Sequence, residues 1–209
     1  MWRWACAVAL LALHAVSHGA PGMDPFNVNV VSQGEFARLP DYCRDTQTYA
    51  GHGDPTPRQA RWLSLMGDTF WHLHHYCWGM LKANRAEQPG ISPAMKRTLY
   101  ASAVQECQYV LRNNADPDFV LRPEILYRMG RFEAANESWV DALEYYRQSI
   151  EAKADYWPPY VGTAEIHLRL KRRDRAIAIL EEALKVLPNE PAVQQAMTRA
   201  RDGVASAAR

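Results

Sequence analysis

Apolar side chains, with Thr69 among them, recur at spacings of three and four through Trp62, Leu65, Met66, Thr69, Phe70, Leu73, Tyr76, Cys77, Met80 and Leu81. That period predicts a helix running on from near Arg58. Trp71, His74 and Trp78 add a second stripe, and a helix with two non-polar faces packs between neighbours. Pro89-Gly90 and Pro93 break the chain, after which Leu99, Ala103, Cys107, Val110 and Leu111 predict a second helix over Ala94 to Asn113. Residues 58–118 therefore read as an aromatic-rich antiparallel hairpin. Residues 21–57 show little periodicity and carry the breakers Asp24-Pro25, Gly51-His52-Gly53 and Asp54-Pro55-Thr56-Pro57. They predict an extended, mostly irregular arm lying on the helical body. Val28, Val30 and Val31 suit a short strand, but a lone strand has no partner here.

Beyond Asp118 the chain repeats itself at a constant offset of 34 residues. Leu126, Gly130, Ala142, Tyr146 and Ser149 are matched by Tyr160, Ala164, Ala176, Leu180 and Ala183. Small residues at 130/164, 142/176 and 149/183 let helices cross closely, and large ones at 126/160 and 146/180 fill the groove between them. Ser138 with Asp141 three residues on predicts a capping box at the start of a helix. Pro158 and Pro159 suit the opening turn of the next helix, where a missing N–H costs nothing, and Arg172 is a poor cap for the one after.

Met129-Gly130, Ala142, Tyr146 and Ser149, then Ala164, Ala176, Leu180, Ala183 and Pro188, resemble the tetratricopeptide repeat over residues 119–189. Glu133 and His167 stand in its aromatic slot, and Ala154 in the closing proline slot of the first repeat. The resemblance implies an all-α, right-handed α-solenoid of helical hairpins: two repeats over 119–189, a degenerate one over 58–118, and a polar closing helix within 190–209. It also implies that the first helix of each hairpin lines a concave surface for a peptide or another protein. The inner positions are then Glu124, Tyr127, Arg128, Arg131 and Ala135, followed by Val161, Gly162, Glu165 and Arg169. One slot reads Arg131, Glu165, Arg199 along successive helices. Guanidinium groups at Arg128 and Arg131 suit acidic groups of a peptide; the alternative is a solvated ladder in which Glu165 is paired between its two arginines. The lysines and asparagines with which some members clamp a terminal carboxylate are replaced by Tyr127, Arg131 and Gly162, which does not support that ligand.

Residues 1–20 change the picture of where such a scaffold works. Arg3, an apolar stretch from Trp4 to Val16 and small residues to Ala20 have the layout of a secretory signal peptide. The apolar stretch is shorter than the roughly 20 residues of a membrane span, and no other segment is long enough, so the mature chain is expected to have no membrane span. Ala15-Val16-Ser17 fits the small-x-small rule for cleavage. The Ala- and Arg-rich composition suggests a bacterium, hence a periplasmic or secreted protein. The chain has Lys+Arg 24 against Asp+Glu 23, and losing Arg3 balances the two. Nucleic-acid binding normally needs a basic excess, so that class is not expected. Cys43, Cys77 and Cys107 would remain in a compartment where disulfides persist. Cys43 lies in the loop-like Leu39 to Cys43 segment, which must be pinned to something, and Cys77 is its expected disulfide partner; the alternative is three buried thiols.

His72, His74, His75 and Cys77 raise the question of a metal or small-molecule site. On a helix His72 and His75 share a face, His74 points about 100° away, and Cys77 falls on the apolar stripe. Asp68, one turn earlier, can pair with His72. Packing is the expected role, with a metal held by His72 and His75 or a histidine-lined pocket as the alternatives. No cofactor is expected. There is no glycine-rich phosphate loop, no Gly-x-Ser-x-Gly elbow and no carboxylate pair placed in a cleft, so an enzyme is not expected. Asn136-Glu137-Ser138 matches a glycosylation acceptor, though the helix cap explains Ser138 better. The expectation is an exported scaffold for protein–protein interaction.

Overall fold

The computed structural model describes residues 24–51, 53–114 and 116–202, so the leader-like segment 1–20 lies outside the described residues. The arm is not simply extended. It contains three single helical turns, α1 (Gln33–Phe36), α2 (Tyr42–Asp45) and α3 (Gln47–Ala50), and no strand is present among the described residues, at Val28 to Val31 or elsewhere. Local side chains explain the first turn: Ser32 Oγ accepts from Glu35 N (3.2 Å) while Ser32 N donates to Glu35 Oε2 (2.8 Å), a reciprocal cap.

The helix expected to run on from Arg58 is interrupted. α4 (Pro57–Met66) starts on a Thr56/Gln59 capping box and stops at Gly67, whose φ of 61 leaves the helical region. A 3-10 segment (Gly67–His72) follows, and α5 (Leu73–Ala86) begins only there. One helix becomes two joined by a tighter turn, so the spacing rule that would pair Asp68 with His72 no longer applies.

From α5 onward the helices pack as consecutive antiparallel pairs: α5 with α6 (Pro93–Arg112), α7 (Arg122–Ala135) with α8 (Trp139–Ala152), and α9 (Pro158–Arg169) with α10 (Arg173–Val186). α11 (Pro191–Asp202) closes the stack on α9 and α10. This is a helical solenoid like that of tetratricopeptide-repeat proteins. The repeat offset extends to the backbone. Glu137 and Lys171 occupy matched positions and are both left-handed, with φ of 60 and 58. The next N–H closes the same long turn in each, Ser138 N to Glu133 O (3.0 Å) and Arg172 N to His167 O (2.8 Å). The expected Ser138 capping box does not form: neither Ser138 nor Arg172 makes a side-chain cap bond. The left-handed turn already sets the path between the helices, and it does so equally well with arginine in the cap slot. Pro158 and Pro159 do open α9.

Two large clusters form the core. One joins the arm to α4 through α7 around Phe70, Leu73, Tyr76, Leu81 and Leu99; the other joins α9, α10 and α11 around Tyr160, Leu180 and Val193. Ala142, Tyr146 and Ile166 link them. The arm is held to this body by a disulfide and by buried polar contacts. Cys43 and Cys77 are joined by a disulfide, Cα to Cα 5.7 Å, which carries the arm onto α5. Asp45 accepts from Arg58 Nε (2.9 Å) and Trp62 Nε1 (2.7 Å) of α4. Arg85 of α5, only 2% exposed, donates to Glu35 Oε1 (2.6 Å) and to the carbonyls of Asn27 (2.7 Å) and Val30 (2.8 Å).

Candidate functional site

The inner faces of α5, α7, α9 and α11 enclose a groove of about 730 Å³. It exists because α7, α9 and α11 follow one another along one side, each touching the next, while α8 and α10 are set behind them. Its wall is aromatic. The Tyr146 ring of α8 reaches between α7 and α9, where Gly130 and Gly162 make room for it: a Cβ on Gly130 would lie 2.5 Å from the ring, and one on Gly162 2.7 Å from it. Tyr127 stacks on Tyr146, centroids 5.8 Å apart, and Tyr156 meets Tyr127 edge-on at 5.9 Å. Trp157, Val161 and Ile166 continue the apolar surface.

Tyr127, Arg128, Arg131, Glu165, Arg169 and Arg199, the positions taken from the repeat register, all line this groove. They differ in what they can offer. Arg128 Nε is bound to Glu124 (3.1 Å), whose carboxylate also accepts from Tyr76 (2.9 Å), so Arg128 is occupied within the fold. Glu124 itself is not in the groove lining. Arg131 and Arg169 are exposed and form no salt bridge among the described residues. Arg199 reaches Glu165 only at 3.9 Å. Burial pushes the Glu165 carboxyl above the ordinary carboxylate value despite the opposing pull of Arg199, Arg169 and Arg131. A single, half-buried acid thus stands among three guanidinium groups, and the ladder has a cationic surplus.

The other end of the groove was not foreseen. Tyr100 donates to Glu87, which also accepts from Lys96 (2.9 Å), and Phe132 and Trp139 stand beside them. Glu87, Lys96 and Tyr100 sit where the 34-residue register does not extend, so nothing in the repeat pattern marks them. The exposed glutamate, the half-buried lysine and the buried tyrosine are mutually satisfied, which leaves this end close to neutral.

The histidines do not reach the groove lining. His75 stacks on Tyr109, centroids 3.7 Å apart, and its Nδ1 lies 2.5 Å from Glu106, which Lys82 also approaches to 2.5 Å. Burial, offset by His75 and Lys82, leaves the Glu106 carboxyl below the usual carboxylate range. His72 packs edge-on against the same Tyr109, and His74 Nδ1 lies 2.9 Å from the carbonyl oxygen of Trp71. Asp68 is exposed and makes no hydrogen bond to His72 among the described residues. No group of three or more histidine, cysteine or acidic side chains that could hold a metal occurs among the described residues. Cys77, the fourth member of the motif, is in the disulfide, and Cys107 is a buried thiol whose pKa burial raises. Asn136, the glycosylation candidate, is half-buried and donates to the Arg97 carbonyl (3.2 Å). No helix of the described residues is long and apolar enough to cross a membrane.

A comparison with curated proteins finds no match to the chain. Residues 133–200 match the family model of the tetratricopeptide repeat. That span covers α8 to α11, beginning at the end of α7 and taking in the closing helix, so it is shifted towards the C-terminus from the 119–189 of the sequence register. With the paired helices and the repeated left-handed turns, it makes the C-terminal part of this chain tetratricopeptide-repeat-like.

Proposed function

We propose that this protein is an exported scaffold that holds a segment of another protein in the groove between α5 and α11, in the cell envelope or outside the cell. The observation that carries the reading is the groove itself. It is concave, walled by Tyr127, Tyr146 and Trp157, and rimmed by Arg131, Arg169 and Arg199, of which only Arg199 approaches an acid, Glu165 at 3.9 Å. Aromatic walls supply apolar contact area with little loss of side-chain freedom, and guanidinium groups supply directional contacts to carboxylates. Repeat solenoids generally use such surfaces to bind proteins, and no catalytic constellation is needed for that role. The leader-like residues 1–20 and the Cys43–Cys77 disulfide support work in an oxidising compartment.

A photo-reactive amino acid at Val161, in the groove wall, tests the assignment in an envelope extract. The expected result is a covalent adduct with another protein that is lost in the Arg131→Glu/Arg169→Glu variant. Adducts from the exposed α10 position Ala178, outside the groove lining, and none from Val161 would remove the groove from consideration. Export has its own test: the recovered protein should lack its leader by intact mass and fractionate outside the cytoplasm, and retention of Met1 in a cytoplasmic fraction would refute it.

A further inference from the structure

The groove does not end at its arginines. Arg169, at the last turn of α9, is followed in the α9–α10 turn by Lys171 and Arg172 and in the first turn of α10 by Arg173 and Arg175, all exposed. Arg173 Nε donates to the Ala200 carbonyl (3.0 Å), which brings Arg199 and Arg201 of α11 alongside. Asp174 and Asp202 are the acids interspersed in these stretches. Neither Arg169, Lys171, Arg172 nor Arg175 forms a salt bridge among the described residues. Four of these cations crowd the N-terminus of α10, where the helix dipole disfavours positive charge and where Arg172 offers no side-chain cap. The matched turn between α7 and α8 carries Glu137, Ser138 and Asp141 instead. The same backbone therefore tolerates an acidic and polar turn, and the basic one works against its own helix. Asp174 in that turn and the Arg173 bond to Ala200 offset only part of this charge, and a local rule broken with so little compensation within the fold points to a role outside it.

We propose that the α9–α10 turn and the end of α11 form a cationic rim that specifies an acidic segment of a partner protein, with its apolar part in the groove and its carboxylates running out over Arg169, Arg172 and Arg175. This rests on the peptide-groove reading above and adds polarity to it: the Glu87, Lys96 and Tyr100 end is internally balanced, while the α9 to α11 end is positive. Arg169 and Arg199 lie in the concave lining, which a flat bilayer surface does not reach, and the near-equal numbers of Lys+Arg 24 and Asp+Glu 23 give no global field for a nucleic acid. A protein segment fits both the aromatic walls and the rim.

The test is selection of a displayed library of random peptides, about a dozen residues long, on the full chain and on two variants: Arg169→Gln/Arg172→Gln/Arg175→Gln at the rim and Val161→Trp in the groove, each checked for native helicity. The expected result is retained peptides with Asp and Glu clustered at one end. They should bind the rim variant and their own Gln/Asn counterparts about tenfold more weakly at low salt, with the difference vanishing at high salt. Peptides displaced by Val161→Trp but without acidic enrichment or rim dependence would overturn this inference and leave the groove reading standing. Retention of no peptide above background would overturn both. In parallel, vesicles of phosphatidylglycerol and a single-stranded oligonucleotide are offered; rim-dependent binding of either, without acidic enrichment among the peptides, would overturn the proposal in favour of that ligand.

Discussion

The ring of Tyr146 lies directly over Gly130, close enough that a Cβ at Gly130 would fall 2.5 Å from Cδ1 and Cε1 and 3.0 Å from the Ala142 carbonyl oxygen. Gly162 makes room for the opposite edge of the same ring, where a Cβ would fall 2.7 Å from Cζ and 2.8 Å from Cε2, so the tyrosine has little freedom to yield. Gly130→Ala is therefore expected to destabilise the protein by about 1–2 kcal/mol: overpacking costs about 1–3 kcal/mol, and the gain in helix propensity returns up to about 1. Gly34→Ala, with nothing within 4 Å, is the control and should be neutral or slightly stabilising. Urea unfolding checks both, and equal midpoints would contradict the clamp on Tyr146.

The relation between these residues also shows what the sequence could disclose. Gly130, Ala142 and Tyr146 were legible because helix pairs at a fixed offset impose small and large residues at fixed places, and the inner positions followed from the resemblance that those residues carry. The Cys43–Cys77 link was legible from an arm that needed pinning. What was not legible depends on contacts between distant segments or on a single backbone angle. Gly67 ends α4 through its positive φ although the apolar spacing runs straight through it. Ser138 has the composition of a cap and lacks the geometry. Arg85, near a helix end, is buried under the arm, and no local pattern marks it. Lys96, Tyr100 and Trp139 reach the groove by tertiary packing alone.

Arg85 gives the second prediction. Its guanidinium holds Glu35 and the carbonyls of Asn27 and Val30, and Arg85→Ala would leave a buried carboxylate without its partner. Losses of about 3–5 kcal/mol accompany the breaking of buried pairs by removal of one member. The expected signature is local: hydrogen exchange and proteolysis should rise first in residues 24–36. Uniform destabilisation with an unchanged arm would show that Arg85 is not its anchor.

The disulfide gives the third. Cys43 and Cys77 are 34 residues apart, and closing a loop of that length stabilises by about 3–4 kcal/mol in the chain-entropy model. Peptide mapping without reduction should recover the two linked and Cys107 as a thiol. Cys43→Ser/Cys77→Ser should lower the unfolding midpoint accordingly and disturb α9, α10 and α11 least, since those helices pack on their own core cluster while α7 shares the cluster of the arm. Free thiols at both positions in the native protein would end the assignment.

The fourth concerns pH. His74 is buried against the Trp71 carbonyl and the edge of Trp78, and burial, reinforced by His75 and His72, lowers its pKa from the ordinary 6.5 to about 4. Burial lowers His167 in the same direction, beside Arg175 and Arg172. A histidine lowered in the folded state takes up its proton more readily when unfolded. Its contribution is complete above pH 6.5, declines as pH falls from 6.5, and is lost once pH passes the folded value near 4. For His74 the gap corresponds to at most about 3 kcal/mol. Glu35, Asp45 and Glu106, whose hydrogen-bonded partners lower their carboxyl pKa values against the cost of burial, add their loss only below about pH 4.5. Stability measured by urea unfolding should therefore begin to fall between pH 6.5 and 5, before any of these carboxylates titrates. His74→Gln, which keeps a polar group near Trp71 without a titrating ring, should flatten that first part of the decline and leave the later, carboxylate part unchanged. An identical profile in the variant would show that His74 is not the group responsible.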